Sequence, residues 1–191
     1  MTAVLAHQAG RSVITLSLNI PGPDKNLPGC ETLFARAGAA LEDALGGAVV
    51  AGGGPSRADD LLGPFGIWHA GLDPQSVKRA AVAIEHGLAG GRLLDVDVYD
   101  ASGRQVDRGS LDLPPRACLV CPEPAHECAR LGRHTTEQVV AAARALLTDA
   151  FLDALAAALV NGAREELALT PKPGLVDRRD GGSHPDLTFE A

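Results

Sequence analysis

The sequence predicts an α+β fold: a mixed sheet flanked by helices, followed by a helical C-terminal fragment. Three observations lead there. Two stretches, Ser12–Ile20 and Gly91–Tyr99, alternate apolar and polar residues as half-buried strands do. Between them, two segments repeat apolar residues at helical spacing. After Thr135 the pattern is helical again, until a Pro-, Gly- and charge-rich stretch begins at Thr170. Aromatic residues make up only 3% of the chain, so the expected core is aliphatic and built from small side chains.

The elements follow in order. Ile14, Leu16, Leu18 and Ile20 share one face of the first strand, and Pro21-Gly22-Pro23 ends it. Leu33, Ala37, Ala40, Leu41 and Ala44 then mark an amphipathic helix over Glu31–Leu45, stopped by Gly46-Gly47. Ala48–Ala51 reads as a short buried strand running into Gly52-Gly53-Gly54-Pro55-Ser56-Arg57, and Pro64–Gly71 as a weaker strand. Asp73-Pro74 opens a helix that runs to about His86, because Asp accepts the orphan N–H groups of the first turn and Pro tolerates that position. The strand of Asp95 and Asp97 follows, then a turn at Asp100-Ala101-Ser102-Gly103 and a returning hairpin strand over Gln105–Arg108. Thr135-x-x-Gln138 resembles a capping box ahead of a stripe of Val139, Val140, Ala143, Leu146 and Leu147. Thr148-Asp149 offers a restart, with Phe151, Leu155 and Leu159 continuing the apolar pattern.

A chain of 191 residues suits one domain, or one domain and part of another, and is long enough to bury a real core. Its formal charge of −7 argues against general nucleic-acid binding, which needs a basic face. No apolar run reaches membrane-spanning length and no signal-peptide pattern opens the chain, so a cytoplasmic location is expected.

The chemistry concentrates in three places. Asp95 and Asp97 lie two apart on a strand, so both carboxylates share a face while Leu94, Val96 and Val98 enter the core. Such a pair reads either as a solvated strand face or as a Mg²⁺ site whose shell substrate phosphates complete. Cys118-x-x-Cys121, Cys128 and His134 supply three thiols and an imidazole, with His126 a rival fourth ligand. That segment reads as structural Zn²⁺, as buried thiols without metal, or as a redox pair. The glycine loop with Gly53 and Gly54 is either a phosphate cradle or a plain flexible loop. Arg104, Arg108, Arg116, Arg130 and Arg133 form either an ordinary charged surface or a patch for a polyphosphate or an acidic partner.

At these residues the chain resembles a known family. Asn19-Ile20-Pro21-Gly22-Pro23-x-Lys25, Gly91-Arg92-Leu93-x-Asp95-Val96-Asp97-Val98 and Leu113-Pro114-Pro115-Arg116-x-Cys118-Leu119-x-Cys121, with Cys128 and His134, are similar to the citrate lyase holo-acyl-carrier-protein synthases. These enzymes are also called apo-citrate lyase phosphoribosyl-dephospho-CoA transferases. The resemblance spans residues 12–147. A second begins near Ala150, where Thr170-Pro171-Lys172-Pro173-Gly174 and Gly182-Ser183-His184-Pro185-Asp186 look like the opening of the triphosphoribosyl-dephospho-CoA synthases. Two domains are therefore expected: a transferase over 1–147 and the truncated start of a helical synthase over 148–191.

The resemblance implies a nucleotidyltransferase-like fold and reaction. A 5′-phosphoribosyl-dephospho-CoA unit passes from triphosphoribosyl-dephospho-CoA to a serine of the citrate lyase acyl-carrier subunit, and pyrophosphate leaves. Asp95 and Asp97 would hold Mg²⁺ and do the catalysis. Lys25, Arg92, Arg108, Arg116 and the loop of Gly53 and Gly54 would bind the donor, and the base would be Asp95, Asp97 or His86. One departure stands out: the family's His-Pro-Leu-Gly-Arg run is Leu88-Ala89-Gly90-Gly91-Arg92 here, with His86 two residues earlier. Two other readings remain: a zinc-stapled, non-catalytic docking module for an acidic carrier protein, and a nucleotidyltransferase with a different acceptor.

Overall fold

A computed structural model describes residues 12–52 and 62–169. Strand β1 (Ser12–Leu18) leads to α1 (Cys30–Leu45), β2 (Val49–Gly52), β3 (Phe65–Ala70), α2 (Pro74–Gly87) and β4 (Leu94–Tyr99). Strand β5 (Gln105–Val106), α3 (Ala125–Leu131) and α4 (Thr136–Leu169) complete the described chain. The α+β class is as the sequence predicts.

The sheet runs in the order β2-β3-β1-β4-β5, and every described pairing is antiparallel. The mixing expected of it is present only at one remove. β1 and β2 both run antiparallel to β3, hence parallel to each other with β3 between them, and β3 and β4 flank β1 in the same way. The helices α1 and α2 each cross over one intervening strand. This is the split β-α-β-β-α-β arrangement, extended by a hairpin strand.

Alternation decides the faces. Ile14, Leu16 and Leu18 of β1 lie opposite Val98, Val96 and Leu94 of β4 and join the core with Leu33, Phe34 and Leu41 of α1 and Val77 and Ala81 of α2. Trp68, the largest buried side chain, fills the same layer, and its indole N–H donates to Glu42 Oε1 at 2.9 Å. A Cβ on Gly66 would come within 2.6 Å of that indole, so the backbone approach requires glycine. The opposite sheet face carries, in cross-strand register, Phe65–Ser17–Asp95 and Ile67–Thr15–Asp97.

Caps are where the sequence places them. Asp73 Oδ2 accepts from the Ser76 N–H at 2.9 Å and from its hydroxyl at 3.0 Å, and these bonds hold the Asp73 carboxyl below its ordinary pKa. Thr135 and Gln138 exchange reciprocal bonds of 2.9 and 3.3 Å, a complete capping box. The restart read at Thr148-Asp149 is not needed: α4 continues through it, with the Thr148 hydroxyl donating to the Arg144 carbonyl at 3.0 Å. Two further differences are local. β5 ends at Val106 rather than Arg108, and α3 falls in a segment too irregular in sequence to assign.

The chain divides into two compact units, one ending at Ala156 and one beginning at Ala157. Within the first, Ala143, Leu147 and Ala150 of α4 are buried and Arg36 pairs with Asp153 at 2.6 Å. Among the described residues, no helix is long and apolar enough to cross a membrane.

Candidate active site

The site grows from a sheet edge left open. The backbone of Leu93 faces β1, where its carbonyl accepts from the Asn19 N–H at 2.7 Å. By alternation, Leu94, Val96 and Val98 turn their backbone groups to the outer edge. β5 covers only Val98 and Tyr99. Side-chain cations take the two exposed carbonyls instead: Lys78 Nζ donates to Val96 O at 2.6 Å, and Arg116 donates to Leu94 O.

A cleft of about 340 Å³ wraps this edge, lined among others by Lys78, Glu85, Asp95, Asp97, Arg108, Arg116 and His126. The helix α2 supplies Lys78 and Glu85, two turns apart on one face. Glu85 is 4% exposed and bridges two guanidinium groups: Oε1 to Arg116 Nη2 at 2.8 Å and Oε2 to Arg108 Nη2 at 2.5 Å. Its place depends on Gly91, because a Cβ there would meet the Glu85 carbonyl oxygen at 2.4 Å. Arg116 Nη1 also reaches Asp95 Oδ1 at 3.4 Å. Asp97 Oδ1 accepts from the Gln105 amide at 2.7 Å.

The electrostatics follow from this crowding. Burial and the neighbouring Asp97 push the Asp95 carboxyl above its ordinary pKa, against the pull of Arg116. Burial holds the Lys78 ammonium below its ordinary pKa, with Glu85 and Asp97 working the other way. Cleft cations Lys78, Arg108 and Arg116 face four carboxylates, those of Glu85, Asp95, Asp97 and Asp107. The formal balance is therefore slightly negative, and one bound divalent ion would reverse it.

The expected site residues separate into three groups. Asp95, Asp97, Arg108 and Arg116 come together in this cleft. Arg92 and Lys25 are not among its lining residues: Arg92 donates to the Ala117 carbonyl, and Lys25 Nζ to Ile20 O at 2.5 Å. Gly53 and Gly54 lie outside the described residues. His86, a base in the sequence reading, is exposed on α2 and outside the cleft lining, whereas His126 is inside it. The other arginines also disperse, Arg104 to Asp100 at 3.2 Å and Arg133 to Glu123 at 3.9 Å. Sequence reasoning missed Lys78 and Glu85. Their signal was two charged residues seven apart beside Val77, Ala81 and Val82, on the stripe of α2 that turns inward.

Beyond the cleft stands a second centre. The donor atoms of Cys118, Cys121, Cys128 and His134 lie within 4.8 Å of one another. Cys121 Sγ is 3.5 Å from Cys128 Sγ and 3.3 Å from His134 Nε2. A tetrahedral Zn²⁺ with bonds of about 2.3 Å to sulfur separates its sulfurs by about 3.8 Å, so the donor set fits that ion. His134 completes the set rather than His126, because His126 and Cys128 are two apart on α3 and point to different sides. Without metal the thiols are unequal. Burial and the hydrogen bonds that its thiol gives to Cys121 and Cys118 push Cys128 up to about 12. Burial also raises Cys118, but hydrogen bonds from the Val120 and Cys121 N–H groups and from the Cys128 and Cys121 thiols together outweigh it and leave that thiol below its ordinary value.

Comparison with known proteins joins these features to a family. The sequence profile of the apo-citrate lyase phosphoribosyl-dephospho-CoA transferases matches residues 2–150. The protein named CitXG of Haemophilus influenzae is 36% identical over 123 residues, 62% of this chain and 26% of that protein. The CitXG protein of Leuconostoc mesenteroides subsp. cremoris is 27% identical over 187 residues, 92% of this chain and 40% of that protein. The chain thus spans well under half the length of these two relatives. A Streptococcus pyogenes serotype M18 protein named "Probable apo-citrate lyase phosphoribosyl-dephospho-CoA transferase" is 33% identical over 153 residues, 73% of each chain. With three quarters of its length under one family profile, and with the cleft and the Cys₃His cluster both inside that span, the chain belongs to the apo-citrate lyase phosphoribosyl-dephospho-CoA transferase family.

Proposed function

We propose that this chain transfers a 5′-phosphoribosyl-dephospho-CoA group from triphosphoribosyl-dephospho-CoA to a serine of the citrate lyase acyl-carrier subunit. The observation that carries the reading is the juxtaposition in one cleft of Asp95 and Asp97 with a cationic wall of Lys78, Arg108 and Arg116. The family names relatives for the same transferred group and the same target protein.

In this reading Asp95 and Asp97 would hold Mg²⁺, which when bound would neutralise charge on the triphosphate. The serine oxygen forms a bond to the phosphorus nearest the ribose, and the bond from that phosphorus to the pyrophosphate oxygen breaks. The hydroxyl proton passes to a cleft carboxylate, Asp95 or Asp97, and on to water. Arg108 adds positive potential where the leaving group collects charge, while Arg116 ties Glu85 and Asp95 to the strand edge. Because the cleft's own side chains sum to a slightly negative charge, donor binding would depend on the metal. The Cys₃His cluster would hold structural Zn²⁺. Residues 1–147 would form the transferase domain and 148–191 the beginning of a synthase domain. The alignment with the Leuconostoc protein reaches past the family match, so residues beyond 150 also resemble part of that protein.

Incubation with apo-carrier protein, donor and Mg²⁺, followed by intact-mass measurement, tests the reading. The carrier gains the mass of one phosphoribosyl-dephospho-CoA unit, and Asp95→Asn or Asp97→Asn reduces the rate by at least 100-fold with the fold intact. Transfer by both variants at the wild-type rate removes the metal role. Carrier binding with no mass gain favours the docking module.

A further inference from the structure

We infer that Lys78 is a catalytic residue that grips the departing pyrophosphate together with Arg108, while Arg116 and Glu85 are positioning residues. The inference rests on the transferase reading above and assigns roles within its site.

Among the described residues, the bonds already given to the protein separate the three cations: three from Arg116, two from Arg108 and one from Lys78. Nη2 of Arg116 serves both Glu85 Oε1 and the Leu94 carbonyl, and Nη1 serves Asp95 Oδ1. Two of its five N–H groups remain. Its work is to tie α2 to the edge of β4 and to hold Asp95 beside that edge. Arg108 gives one bond to Glu85 Oε2 and one of 3.4 Å to the Pro114 carbonyl, which leaves three donors. Among the described residues, Lys78 gives a single bond, 2.6 Å to Val96 O, which leaves two donors.

Burial sharpens the contrast. Lys78 is 6% exposed, and an ammonium that deep is costly unless an anion meets it. Its one hydrogen bond is to a neutral carbonyl. Glu85 is already committed to two arginines and Asp97 to Gln105, so neither carboxylate is bonded to Lys78. The charged groups around Lys78 include Glu85, Asp95, Asp97, Arg108 and Arg116, and none of them hydrogen-bonds to it. A phosphate oxygen in the cleft supplies the missing partner. As the phosphorus–oxygen bond to pyrophosphate breaks, negative charge grows on the leaving oxygens, and Lys78 and Arg108 have donors free to meet it there. Arg116 has its fork turned to the protein. Glu85 keeps the two guanidinium groups apart and oriented, so its own effect comes through Arg108.

Calorimetry with Mg²⁺ and inorganic pyrophosphate, on the full chain, tests this. Lys78→Met weakens pyrophosphate binding at least 10-fold and lowers kcat, and Lys78→Arg restores most of both. Arg116→Lys changes pyrophosphate affinity less than about threefold. Glu85→Gln raises KM for the donor more than it lowers kcat. A second measurement needs no variant: the Nζ resonance of Lys78 in the wild-type protein shifts when Mg²⁺-pyrophosphate is added. Wild-type pyrophosphate affinity in Lys78→Met, or an unmoved Nζ resonance, overturns the inference even where transfer to the carrier proceeds normally. Loss of pyrophosphate binding in Lys78→Met, with no transfer to the carrier by wild type, upholds the site and sinks the acceptor instead.

Discussion

At the scale of single residues, Asp95 is held against its own preference. Its carboxyl is raised by burial and by Asp97, so ionising it costs the folded state stability at neutral pH. The sign is definite: a raised folded pKa stabilises the fold only while the group is protonated, and that contribution is lost as pH climbs through the folded value. Asp95→Asn therefore raises the melting temperature at pH 7 without metal, and the gap to wild type narrows as pH falls through the folded value and closes below about 4, where the acid becomes protonated in both states. Thermal melts across pH 3–8 check it. A variant that gains stability while losing transfer marks a residue kept for chemistry. The aspartates were legible in the sequence because strand alternation is local. Lys78 and Glu85 were not, because a helical stripe with charges on its inward side reads as a break in amphipathicity until the strand edge opposite it is known.

At the scale of elements, the segment from Cys118 to His134 is short of apolar residues to fold by itself. Only Cys128 is buried among residues 118–134. In the proposed reading a metal would substitute for the missing core, since the binding energy of a structural Zn²⁺ is folding energy. Elemental analysis of protein purified under reducing conditions should find close to one zinc per chain. Chelation or Cys121→Ser should lower the melting temperature by several degrees, with the strands β1–β4 retained in the circular dichroism spectrum. Metal content near zero in a folded chain would end the proposal. The ligand spacing was readable beforehand, but the choice of histidine was not: it turned on the one-and-a-half-turn helix α3, whose irregular sequence hid which side His126 faces.

At the scale of the whole molecule, the cleft and the Cys₃His cluster lie within the first compact unit, before Ala156. Deleting residues 170–191 should leave the rate of transfer within about twofold of the full chain, as measured by mass gain on the carrier. A larger loss would assign part of the site to that segment. The class of fold was legible from periodicity, yet the strand order was not. Placing β1 between β3 and β4 is a long-range choice, made by matching Ile14, Leu16 and Leu18 to two partner strands at once, and no local window contains it.

The brevity of β5 has a last consequence. Two residues longer, that strand would hydrogen-bond the Val96 carbonyl that Lys78 now holds; four residues longer, it would also take the Leu94 carbonyl held by Arg116, and the opening beside Asp95 would be zipped shut. The reverse hazard follows when those cations are removed. A bare run of β4 would then be sticky towards any passing extended peptide, another molecule of this protein included. In the proposed reading, enzymatic competence and colloidal good behaviour would share the same two basic side chains, so variants at Lys78 or Arg116 should be checked for self-association before their kinetics are read.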